Sequence, residues 1–168
     1  MKALTAAFLA GFILFSSTVL GQDKATGAPG GIVLPQGYQY QSMHGTDSWP
    51  GKIWKKDRLT IEHDIGPFAG QVDEHKDKWY YLRFSKEQQG GQVMYWGFTV
   101  PGFWPTRSHH RLPKSEEELS RLDKKWPKQL WVKFPCYANF WTTVKSQAEF
   151  DEALHILRTF RCDKIGYQ

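Results

Sequence analysis

The hydrophobic rhythm of this chain changes several times, and each change predicts an element. Residues 6–20 are an almost unbroken apolar run. Further on, Leu59, Ile61, His63 and Ile65 alternate with Thr60, Glu62 and Asp64. A period of two predicts a strand over 59–65 with one buried face. A shorter strand candidate spans 51–55, with 56–58 as the turn of a hairpin. Gly66, Pro67 and Gly70 end the pair. Two aromatic-rich runs, 79–84 and 92–100, suit a pleated, half-buried surface. Gly90 and Gly91, within a loop expected over 86–91, join them as a second hairpin. Pro101, Gly102 and Pro105 predict a long loop over 101–114.

The rhythm then shifts to that of helices. Ser115 followed by Glu118 is a capping-box pattern, with Leu119 and Leu122 on one face and Pro127 as a stop. Strands are expected over 130–134 and 138–144. Ser146 and Glu149 repeat the capping box, and Phe150, Ala153, Leu154 and Leu157 follow at i, i+3, i+4 and i+7. That spacing makes an amphipathic helix whose apolar stripe must lie on a sheet. The predicted fold class is α+β: one antiparallel β-sheet of five to seven strands flanked by helices.

Some residues carry a resemblance. Leu34-Pro35-x-Gly37-Tyr38, Gly45-x-Asp47-Ser48, Gly51-x-Ile53, Leu59-x-Ile61, Asp64-Ile65-Gly66 and Ala69-Gly70 stand near the start. Phe134-Pro135, Ala138-Asn139-Phe140 and Phe150-x-x-x-Leu154-x-x-Leu157-x-Thr159-Phe160 stand near the end. Together they resemble uncharacterised, exported bacterial proteins. The opening strands and closing helix are also similar to the PsbP/Mog1 type of α/β/α sandwich. That resemblance implies a sheet flanked by helices and a binding or assembly role. It implies no catalytic residue.

The apolar run acquires a meaning from its flanks. Lys2 precedes it, Val19-Leu20-Gly21 ends it with compact residues, and Gln22-Asp23-Lys24 follows. This is the layout of a secretory signal peptide over 1–21, and the run is shorter than the ~20 residues a spanning helix needs. Residues 22–31, rich in Gly, Ala and polar groups, are expected as a flexible leader. A single domain would occupy 32–168, with no transmembrane segment after signal removal. The expected location is secreted or periplasmic. The two cysteines, Cys136 and Cys162, then read as one disulfide, stitching the last helix to the sheet it covers. The net charge of +5 is spread through alternating acids and bases, the mark of a mixed surface. No basic stripe suggests nucleic acid.

Candidate chemistry is sparse. His44, Asp47 and Ser48 have the residue types of a hydrolytic triad, but three members so close in sequence more readily build a turn. His63, Asp64, Glu74, His75, His109 and His110 show no H-x-x-x-H or H-x-H spacing, so no metal is assigned. His63 is expected as a buried, hydrogen-bonded strand residue, and Asp64 as an acid bonding the turn after its strand. No cofactor is implied. Eight tryptophans are many for this length. Trp79, Trp96, Trp131 and Trp141 fall on strand candidates and are expected in the core. Phe103, Trp104, Arg107, His109 and His110, in the Pro/Gly loop, form the expected binding surface. The function expected is therefore non-enzymatic: binding or assembly with an unknown protein or a cell-envelope polymer. A secreted hydrolase or metal-dependent enzyme, and a periplasmic inhibitor of the immunity type, are the alternatives.

Overall fold

Alternation along each strand gives a sheet two unlike faces, and here the strands agree on which face is apolar. A computed structural model describes residues 27–101 and 115–165. Seven strands run β1 (Gln39–Ser42), β2 (Trp49–Trp54), β3 (Thr60–Ile65), β4 (Arg83–Gln89), β5 (Gln92–Thr99), β6 (Lys128–Phe134) and β7 (Ala138–Val144). They form one sheet in the order β1-β2-β3-β7-β6-β5-β4, every neighbouring pair antiparallel. The α+β class and the seven-stranded sheet agree with the reading of the sequence.

Helices α2 (Glu116–Asp123) and α3 (Gln147–Leu157) begin where the capping boxes lie. Ser115 Oγ accepts from the Glu118 amide at 3.1 Å, and Ser146 Oγ from the Glu149 amide at 3.2 Å. These bonds satisfy backbone donors that a helix start leaves unpaired. Glu149 reaches back to the amide of Lys145, one residue before the expected serine, at 2.7 Å. The stripe Phe150, Ala153, Leu154 and Leu157 is buried on the inner face, among Ile53, Ile61, Val132 and Phe140. Phe134, Phe140 and Phe160 form an aromatic cluster within this core, with ring centroids 4.6, 5.1 and 5.9 Å apart. Arg158, just past α3, donates to both oxygens of Glu87 on β4. Burial raises the Glu87 carboxyl, but the bonds from Arg158 and Trp96 outweigh that and hold it below its ordinary range.

Cys136, in the β6–β7 turn, and Cys162, beyond α3, are disulfide-bonded with their Cα atoms 5.8 Å apart. The bridge fastens the segment leaving α3 to the sheet beneath it, as expected. Lys128 is the one lysine buried on the inner face among the described residues. It is 5% exposed, with its ammonium 4.3 Å from the centroids of both Phe98 and Trp126 and 3.4 Å from Asp123 Oδ1. Rings and a carboxylate together replace the water this cation gives up.

Three expectations are corrected. The first strand of the second hairpin begins at Arg83 rather than 79, because residues 78–80 form a 3-10 turn; it runs on through the polar residues expected as a loop. The turn is only Gly90 and Gly91, both at positive φ. An edge strand tolerates the charges that had made 86–89 look like a loop. At the start, Pro29–Gly31 form a 3-10 turn in which Pro29 and Gly30 are buried, so packing begins ahead of Ile32 and within the expected leader. A Cβ on Gly30 would lie 2.3 Å from the Phe160 ring, so only glycine fits there. No helix of the described residues is long and apolar enough to cross a membrane.

Candidate functional site

The residues expected to bind, Phe103, Trp104, Arg107, His109 and His110, lie outside the described residues. Two other regions gather exposed chemistry.

One is a cleft at the end of the β1 edge. The β1–β2 connection is pinned at its base, where the Met43 amide donates to the Pro50 carbonyl at 2.8 Å and Trp49 Nε1 to Ser42 Oγ at 2.8 Å. Between these ties the loop doubles back so tightly that a Cβ on Gly45 would sit 2.3 Å from the Ser48 carbonyl oxygen. Gly66, at φ 146°, lets the exit of β3 pass within reach of Ser48. The gap left between loop and strand exit is about 400 Å³, lined by His44, Asp47 and Ser48 on one side and by Ile65, Pro67 and Ile165 on the other. Met43 lines it too and is 49% exposed; Phe68, next to Pro67, is 77% exposed. Among the described residues, no hydrogen bond joins His44, Asp47 and Ser48 to one another, so the nucleophile–base contact of a triad is missing. The three residues lie in the β1–β2 loop and line the cleft.

His63 lies apart from the cleft. It is 1% exposed on the inner face, stacked on Tyr40 at 5.7 Å and tilted against Phe140 at 5.6 Å. Neither ring nitrogen has a hydrogen-bond partner, which corrects the expectation of a bonded strand histidine. Gly51, its cross-strand neighbour, leaves the ring room: a Cβ there would meet Nε2 at 2.5 Å. Burial pushes the imidazole down to about 4; the Trp49 backbone and the Asp64 charge oppose this without cancelling it. His63 is thus a neutral core residue. Among the described residues no three His, Cys, Asp or Glu side chains converge as a metal site would require.

The second region is the outer face of the sheet, opposite α3. Asp64 lies there beside Asn139, its neighbour on β7, and not in the cleft. Its Oδ1 and that of Asn139 are both buried without a partner, so Asp64 does not bond the following turn through that oxygen as expected. The Asn139 amide instead donates to the carbonyls of Ala69 and Gly70, holding the 66–71 loop over this part of the face.

Farther along, one cross-sheet row reads Trp131 (β6), Trp141 (β7), Glu62 (β3), Lys52 (β2). Trp131 and Trp141 were expected in the core; both are half-buried on this outer face instead. Their ring centroids are 5.8 Å apart at 32°. Trp141 Nε1 donates to Glu62 Oε2 at 2.6 Å, and Lys52 Nζ lies 5.2 Å over the Trp54 ring. Trp96, on the inner face, does pack against the core, edge-on to Phe150 at 5.7 Å. Trp79 falls in the 3-10 turn rather than on a strand. The outer tryptophans had a legible signal. Phe140 and Trp141 are consecutive on one strand, so they must point to opposite faces.

No family model, no curated protein and no solved structure matches this chain.

Proposed function

We propose that this is an exported, non-enzymatic binding or assembly protein, which takes an extended segment of a protein partner by strand addition along β1. Export rests on the signal-peptide layout of residues 1–21, and the disulfide suits an oxidising space. The observation that carries the binding reading is the run of the β1 edge into the cleft. β1 pairs only with β2 among the described residues, and it bears no charge to guard its open side. Because the Met43 amide points at Pro50, the amides of Ser42 and Tyr40 alternate away from β2 toward that open side. A partner strand gains main-chain bonds there, and a side chain at its end enters the cleft between Met43 and Pro67.

Replacing Phe68 with a photo-crosslinking phenylalanine analogue in the exporting host tests this. A discrete protein adduct is expected, lost when Ser42→Pro removes the outward donor at the edge. Adducts that survive Ser42→Pro would refute strand addition. A hydrolytic activity on ester or amide substrates that vanishes in Ser48→Ala would replace the reading with the hydrolase alternative.

A further inference from the structure

The outer face offers a second surface with a different chemistry. Trp131, Trp141, Glu62 and Lys52 occupy consecutive strands of one row, and Trp54 stands two residues along β2 from Lys52. Four strands span three intervals of about 4.8 Å, so the row extends roughly 14 Å across the sheet. Toward β5 it ends at Gly97, where Tyr81 from the β3–β4 crossover packs so closely that a Cβ would lie 2.5 Å from its ring. Toward β1 no described element closes it. Across the strands the surface is therefore a shelf closed at one end, and along them the 66–71 loop over Asn139 borders it.

Its composition selects the occupant. The Trp141 indole N–H is already spent on Glu62, which leaves the ring itself as what this side chain offers. The bond to Glu62 and the contact with Trp131 hold that ring before any ligand arrives, so little side-chain freedom remains to be lost on binding. Between and beside the rings stand groups that exchange hydrogen bonds with hydroxyls: Glu62, Lys52, Gln129 and Thr143. The acid and the lysine are adjacent, so their fields largely cancel and the shelf favours neither sign. Two indoles inclined at 32° and rimmed by donors and acceptors, without net charge, suit the two sides of a pyranose ring: C–H groups for the rings and hydroxyls for the rim. An apolar peptide would leave the polar rim unpaired, and an anionic headgroup would meet Glu62.

We propose that the Trp131–Trp141–Glu62–Lys52 row binds a neutral, extended β-linked glycan chain, its sugar rings stacked on the tryptophans. The site uses none of the residues of the β1 edge, so either reading can fail alone.

The test is titration of the intact protein, with tryptophan fluorescence and calorimetry as readouts, using cellohexaose and chitohexaose as probes and phosphatidylglycerol vesicles as the competing surface. Saturable binding to at least one oligosaccharide is expected. Trp54→Ala, at the margin of the shelf, and Trp141→Ala should each weaken it by about tenfold, the worth of one ring stack. Trp131→Phe, which keeps a ring, should lose less, and Ser42→Pro should leave binding unchanged. Should Trp141→Ala prove too unstable to purify, Trp54→Ala and Trp131→Phe carry the test. Failure to bind either oligosaccharide, affinity indifferent to Trp54→Ala, or binding to the vesicles alone would overturn the proposal.

Discussion

Phe140 and Trp141 are neighbours on β7 and are both large aromatics, yet they have opposite fates. Phe140 is 0% exposed, between His63, Phe134 and Phe160. Trp141 is half-buried, tied by its edge to Glu62 and leaning on Trp131. The same contrast holds across the whole sheet. The inner face carries Ile53, Ile61, Val132 and Phe98 beneath α2 and α3; the outer face carries Lys52, Glu62, Trp131 and Trp141, with the 74–81 crossover covering it toward β4 and the 66–71 loop lying over Asp64 and Asn139. One face gains stability by excluding water. The other keeps aromatic area at the surface with polar partners set around it, an arrangement folding alone does not require.

The contrast can be broken most forcefully at β7. Phe140→Ala should cost about 3–5 kcal/mol, the lost transfer energy plus a cavity under α3. Trp141→Ala should cost roughly 1 kcal/mol, since water can fill the space its ring leaves. Urea unfolding of the two variants measures the difference; equal costs would mean that the outer face is as much core as the inner one.

Acid should probe the inner face alone. The His63 imidazole titrates near 4 in the fold and near 6.5 when unfolded. The unfolded chain therefore takes its proton first as the pH falls. Stability is intact above about pH 6.5, declines below it, and the loss is complete once the folded ring protonates near pH 4. The whole loss is roughly 3 kcal/mol at 1.36 per unit. Urea midpoints between pH 7 and 4.5 should fall in the native protein and fall much less in His63→Met. Glu74 and Glu87, held below the ordinary 4.5 by their hydrogen bonds, lose stability only toward the acid end of this window, Asp73 and Asp163 lose it lower still, and all four do so equally in both proteins. Equal slopes in both proteins would remove His63 as the cause.

The smallest effect concerns how α3 is seated on that inner face. Ser146→Ala removes the bond to the Glu149 amide and should cost about 1 kcal/mol, read as a lowered unfolding midpoint. Ser146→Gly should recover most of it.

Much of the fold was legible because its signals are local. The alternation at 59–65, both serine N-caps and the Phe150-to-Leu157 stripe each depend on residues a few positions apart, and each appears where its pattern lies. The errors came where the environment is not local. Lys86 to Gln89 read as a loop because their charges suit water; being at the sheet edge, they can keep that water and still form a strand. His63 read as hydrogen-bonded because a buried imidazole usually is; set among Tyr40, Phe140 and Gly51, its ring nitrogens find no hydrogen-bond partner. Of the candidate sites, His44, Asp47 and Ser48 were legible as neighbours in one loop, but nothing local showed that Met43, Pro67 and Ile165 would line a cleft with them.

What this sequence determined by itself is therefore most of the elements, the alternation of sides along each strand and helix, and the pair of sulfurs available to be joined. Those follow from backbone geometry, whose periods of two and 3.6 are written in neighbouring residues. Tertiary structure alone decided the strand order, which set Trp131 beside Trp141 and Glu62 beside Lys52, and brought Ile165 to the mouth of the β1–β2 loop. Such meetings join residues far apart along the chain, and they depend on which edges and faces find one another once all the apolar surfaces must be covered at the same time.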